Sequence, residues 1–130
     1  GPPSIWSAIK DLGAERIGHG FRAVEDPALV EYLANRQIGL EICPTSNVHI
    51  SAVDSYAVHP VNKLAARGVR FCLNTDDPGI SNIDLAHEYT TAAPRCGLDA
   101  QQIRQAQANA LEMAFLSPLE KEGLLAACRA

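Results

Sequence analysis

The chain has 130 residues, 47% of them hydrophobic and 20% charged, with a formal net charge of −4. That length supports one domain with a sizeable core, and the composition excludes a disordered or low-complexity chain. The acidic balance gives no electrostatic footprint for nucleic acid, and no apolar run approaches the ~20 residues that would span a membrane.

Pro2 and Pro3 suit the first turn of a helix, where a missing N–H breaks no bond, and Ile5, Trp6, Ile9 and Leu12 form an apolar stripe that Gly13 closes. "ERIGHG" follows as a short strand running into a glycine-flanked loop at Gly18 and Gly20. Asp26 caps and Pro27 opens a second helix with the face Ala28, Leu29, Tyr32 and Leu33. "IGLEIC", residues 38 to 43, is the next strand, stopped by Pro44 before a loop. Pro60 then opens "VNKLAAR", Gly68 ends it, and "VRFCLN" is the third strand. Strands alternating with helices are the grammar of a parallel α/β sheet. The tail reads as helix: residues 82 to 93, then "IRQAQANALEMAFL" behind the capping box Asp99/Gln102, then a helix behind Ser117/Glu120.

Cys43, Cys72, Cys96 and Cys128 show no C-x-x-C spacing, and the first two lie in apolar runs. They read as reduced thiols, which favours a reducing, cytoplasmic setting. The start "GPPSIWSAI" lacks an initiator Met and reads like the middle of a protein.

Every chemically interesting cluster follows a strand: His19 after "RI", Thr45-Ser46-Asn47 after "LEICP", and Asp76-Asp77 after "FCLNT". In parallel α/β folds the carboxyl edge of the sheet is where active sites assemble. In "CLNTDDPGI" two acids stand side by side before a Pro-Gly break, which is ordinary turn chemistry. The same pair also suits a cation on one carboxylate and a substrate on the other, because a dication removes the like-charge penalty. His19, between two glycines, is either structural or a proton-handling group on the same edge. Ser46 and Asn47 bond the loop after Pro44 or meet substrate. A Ser46-His19-Asp76 triad lacks the G-x-S-x-G elbow. "HEYTT" at His87 lacks the second histidine of H-E-x-x-H. His49, in the loop, and His59, before Pro60, carry less signal.

"GAERIGHG", "LEICPTSN" and "LNTDDPG", in this order and at these separations, resemble the adenosine deaminase family, its bacterial members most. The resemblance covers the whole chain, from "GPPSIW" to "HEYTTAAP" and "QIRQAQANALEMAFLS". It implies a (β/α)8 barrel of which this chain is the carboxyl-terminal part, about the last three βα units plus C-terminal helices, with residues 1–130 one portion of a metal-dependent deaminase domain. Three strands agree with that, since eight βα units need ~250 residues.

The resemblance further implies a Zn2+ cofactor with Asp76 as a ligand, Asp77 bonding the purine ring, and His19 orienting or deprotonating the attacking water. The implied reaction adds water at C6 of adenosine or deoxyadenosine, releasing ammonia and inosine in purine salvage. Zinc brings a water's pKa near ~7, which suits that chemistry. The family's H-x-H and H-A-G-E motifs are absent here, so the chain alone is expected to be inactive, with the missing amino-terminal barrel half as its partner. "RIGHG" and "VRFCLN" are then expected to be open sheet edges prone to self-association. The alternatives are a deaminase of adenine or another adenosine-containing metabolite, and a non-catalytic α/β module that packs on a partner chain.

Overall fold

Three parallel strands in the order β1-β2-β3 form the centre of the computed structural model, which describes residues 1–128. They are β1 (Arg16–Gly18), β2 (Gly39–Ile42) and β3 (Phe71–Leu73), with Ile17 opposite Leu40 and Leu40 opposite Phe71. Each is shorter than its sequence run, and β2 ends where Cys43 caps the helix that follows.

Helix α1 (Pro2–Lys10) buries Ile5 and Ile9, while Leu12, expected on the same stripe, lies beyond the helix end at 81% exposure. A 3-10 turn (Phe21–Glu25) leads to α2 (Pro27–Arg36), where the Asp26 carboxylate accepts from the Ala28 and Leu29 amides. Its buried face is Leu29, Val30 and Leu33; Ala28 is turned outward. The segment after β2, expected as loop, is helix α3 (Pro44–His49): Pro44 stands in its first turn, where proline is pre-organised. After a 3-10 turn (Tyr56–Val58) and α4 (Val61–Ala66), β3 leads into α5 (Pro78–Ser81).

The stretch expected as one helix over 82–93 starts later and is interrupted. Asn82 has a left-handed backbone, Asp84 caps α6 (Leu85–His87), a π-helical turn spans Glu88–Ala92, and α7 (Ala93–Arg95) follows. Both sequence capping boxes form, opening α8 (Ala100–Met113) and α9 (Pro118–Ala127). No helix among the described residues is long and apolar enough to cross a membrane.

Leu29, Leu33, Leu40, Ile42, Leu64 and Leu73 are fully buried between the sheet and its helices. At ~1.5–3 kcal/mol for each such side chain, this layer holds the strand ends in place. β3 is an edge strand of this sheet, as its sequence run led one to expect. Phe71 and Leu73 turn their own amide groups away from β2, yet the Phe71 carbonyl accepts from Asn109 Nδ2 at 2.9 Å and the Leu73 N–H donates to the Tyr89 hydroxyl at 3.4 Å. One carbonyl and one N–H of the outer edge thus meet side chains, and all three β3 residues are buried. On the far side, β1 has no neighbouring strand among the described residues. A groove of about 300 Å3 lined by Ile5, Ala8, Ile17 and Phe21 runs beside it.

Candidate active site

The parallel ladder delivers all three sequence clusters to one end of the sheet. The His19 N–H still donates to the Glu41 carbonyl at 2.8 Å, so the residue continues β1's pairing while its backbone turns left-handed (φ 55°). Asp76, beyond β3, is left-handed as well (φ 62°). Such a conformation costs a non-glycine residue roughly 1–2 kcal/mol, and strain of this kind concentrates at functional sites. The two strained turns aim their side chains at each other: His19 Nε2 lies 3.7 Å from Asp76 Oδ2, both side chains being roughly 40% exposed (37% and 44%). This is closer than the 5–8 Å that two groups sharing one metal and its water would show on the order of usual ligand lengths.

Helix α3 backs this pair from within. Ser46, 5% exposed, donates its hydroxyl to Asp76 Oδ2 at 2.7 Å. Asn47, 1% exposed, places Nδ2 3.1 Å from His19 Nδ1 and Oδ1 3.2 Å from Nε2 of the buried His59. Ser46 and Asn47 therefore bond the two site residues, a third possibility beside the loop bonds and substrate contacts their sequence suggested.

The adenosine deaminase family model matches residues 1–129. The chain belongs to the adenosine deaminase family. An adenosine deaminase of Escherichia coli is 57% identical over 124 residues, which is 95% of this chain and 37% of that protein. The chain therefore spans little more than a third of the curated relatives it matches. The adenine deaminase of Arthrobacter aurescens superposes with a TM-score of 0.88 at 34% identity, covering 96% of this chain and 38% of that one. A Burkholderia ambifaria amidohydrolase with bound zinc shares the fold, with a TM-score of 0.84 at 23% identity over 96% of this chain and 35% of its own. The sheet and helices are thus part of a (β/α)8 deaminase barrel, with about the last three βα units present.

Among the sequence candidates, Asp77 stands apart from the cluster. It is exposed, and its Oδ1 accepts from the Ile80 N–H at 3.2 Å as the cap of α5. His49 ends α3 at the surface, correcting its expected place in a loop, and His87 ends α6. His59, which carried little sequence signal, is 1% exposed, and burial lowers its pKa to about 4.

Glu88 carried no signal that sequence reasoning used. It is fully buried; its Oε2 accepts from the Thr45 N–H at 3.4 Å, and its Oε1 has no partner among the described residues. Burial raises its pKa, against the opposing pull of the Thr45 bonds. The available clue was spacing: extending the buried stripe Ala92, Ala93 and Cys96 back by one turn lands on Glu88. The Cys43 thiol is pushed up to about 12 by burial first and by the Asp76 and Glu88 charges next, so it remains a neutral core group. A cavity of about 690 Å3 lies at the opposite, amino end of the strands, beside Arg16, Gly39 and Arg70.

One glycine beside His19 is a packing requirement. A Cβ on Gly20 (φ 68°) would stand 2.7 Å from Leu40 Cδ2, in a side chain with 0% exposure. Gly20→Ala in the full-length protein is expected to cost about 2–4 kcal/mol from backbone strain plus overpacking. Urea unfolding reads it, and an unchanged midpoint would contradict the packing argument.

A catalytic zinc takes about three protein ligands and a water. Among the described residues no group of three His, Cys, Asp or Glu side chains converges to supply them. Asp76 and His19 offer a carboxylate oxygen and an imidazole nitrogen, donors whose chemistry suits zinc although their number does not complete a site.

Proposed function

We propose that these residues are the carboxyl-terminal portion of a metal-dependent deaminase barrel domain, in a protein that hydrolyses adenosine and deoxyadenosine to the inosine nucleoside plus ammonia. The 57% identity to an adenosine deaminase over 95% of the chain carries this reading. The pairing of His19 with Asp76 at the strand ends supports it from the geometry. When bound, zinc supplies the Lewis acidity that makes water a nucleophile at neutral pH. Asp76 is the ligand this chain contributes, its Oδ2 oriented by the Ser46 hydroxyl. His19 orients the attacking water from Nε2. Asp77, exposed next to this pair, meets the purine ring. The water oxygen bonds to C6 as N1 gains a proton, the second water proton passes to the amino group, the bond from C6 to that group breaks, and ammonia leaves with the carbonyl formed at C6.

Adenine is the runner-up substrate, favoured by the likeness to the Arthrobacter enzyme. The free thiols, three of them buried, suit a reducing cytoplasmic setting.

The partner of this chain is the amino-terminal half of the same barrel. β1 with its apolar groove and the outer edge of β3 are the two edges that the other half would cover, and isolated chains self-associate through them. The test is an adenosine-to-inosine assay with added zinc, run on the 130 residues alone and after co-refolding with the amino-terminal half, with adenine as the competing substrate. The expected result is no turnover alone and zinc-dependent turnover of adenosine over adenine after co-refolding. Turnover by the isolated chain would overturn the fragment reading, and preference for adenine would overturn the substrate.

A further inference from the structure

A hydrogen-bond chain behind His19 fixes which of its ring nitrogens carries hydrogen. It starts at a group with no choice of polarity. The Val61 backbone N–H, which only donates, meets His59 Nδ1 at 3.2 Å. That nitrogen is therefore unprotonated, and the neutral ring carries its hydrogen on Nε2. Neutrality follows from a site with 1% exposure. His59 Nε2–H then donates to Asn47 Oδ1 at 3.2 Å, which assigns the orientation of the amide. The other arm of that amide, Nδ2, donates to His19 Nδ1 at 3.1 Å. The last nitrogen, His19 Nε2, is left as the N–H, 3.7 Å from Asp76 Oδ2.

We propose that Asn47 and His59 are positioning residues that hold His19 in the Nε2–H tautomer and aim that N–H at the reacting centre beside Asp76. The catalytic part of this inference rests on the deaminase reading; the tautomer does not. Of the two roles open to His19, orienting the water or deprotonating it, this relay supports orientation, because Nε2 arrives with a hydrogen to donate. Asn47 is well held for the task. Its side chain is buried, its N–H donates to the Cys43 carbonyl at 2.9 Å, and its own carbonyl accepts from Ala52 and Val53 at 3.0 Å each.

The test uses the metal-free full-length protein with ring nitrogen-15 histidine at a pH of about 8, above the usual histidine range. His19 resonances are assigned by their loss in His19→Gln. The expected spectrum shows a protonated Nε2 and a bare Nδ1 on His19. Asn47→Asp replaces the donor with an acceptor, so His19 is expected to switch to Nδ1–H. In the zinc-loaded form its kcat is then expected to fall by roughly 100-fold or more, with zinc content retained. His59→Gln, which keeps a donor toward Asn47, is expected to preserve the tautomer and more of kcat than His59→Ala. A wild-type His19 protonated on Nδ1 would overturn the proposal, as would an unchanged tautomer in Asn47→Asp. The expected tautomers without any turnover of adenosine would leave the relay standing and overturn the deaminase reading instead.

Discussion

Asp76→Ala in the full-length protein is expected to abolish zinc binding and activity together. Asp76 is the carboxylate at the end of β3, held in a left-handed turn and tethered by Ser46 at 2.7 Å. Maintaining that strained geometry gains nothing unless the carboxylate has a ligand to meet. Loss of a ligand removes both the metal and the chemistry that depends on it. A fall in kcat of about 10³-fold or more is expected, equivalent to ~4 kcal/mol of transition-state stabilisation. Metal analysis of the purified variant beside its kinetics checks both halves. Full zinc content in Asp76→Ala would remove it from the ligand set.

His19→Ala is expected to separate the two properties. The imidazole is placed by β1's ladder and by Asn47, with Nε2 3.7 Å from Asp76 Oδ2. Removing it is expected to leave one zinc per molecule while kcat falls by roughly 10²–10⁴, the range for a lost acid–base or orienting group. KM should change far less than kcat, because the interaction strengthens in the transition state. Equal zinc loss in both variants would make His19 a ligand and contradict the division of roles.

The sequence made the sheet and the edge that gathers His19, Ser46, Asn47 and Asp76 legible through punctuation. Asp26-Pro27, Pro60 and the two capping boxes each open a helix in the structure, because a cap or an N-terminal proline is a local preference that tertiary packing rarely opposes. The three clusters fell at one edge because parallel strands with helical crossovers all point one way.

What escaped the sequence was set by tertiary contacts. Helix α3 is six residues long, too short to show a period, and its polar residues Thr45, Ser46 and Asn47 are buried by a network rather than by an apolar face. His59 looked incidental before Pro60, yet its ring is locked between Val61 and Asn47. Glu88 sits on a core stripe where an acid is not expected, and only the Thr45 amide beside it accounts for one of its oxygens. The side-chain bonds that Tyr89 and Asn109 make to the outer edge of β3 span 16 and 38 residues of sequence and leave no local trace.

The most direct measurement is the position of zinc by anomalous X-ray scattering from crystals of the full-length protein. One ion is expected at the carboxyl ends of the strands, with an Asp76 oxygen at about 2.0–2.2 Å and His19 Nε2 beyond bonding distance. Zinc bound away from Asp76, or bonded directly to His19, would contradict it.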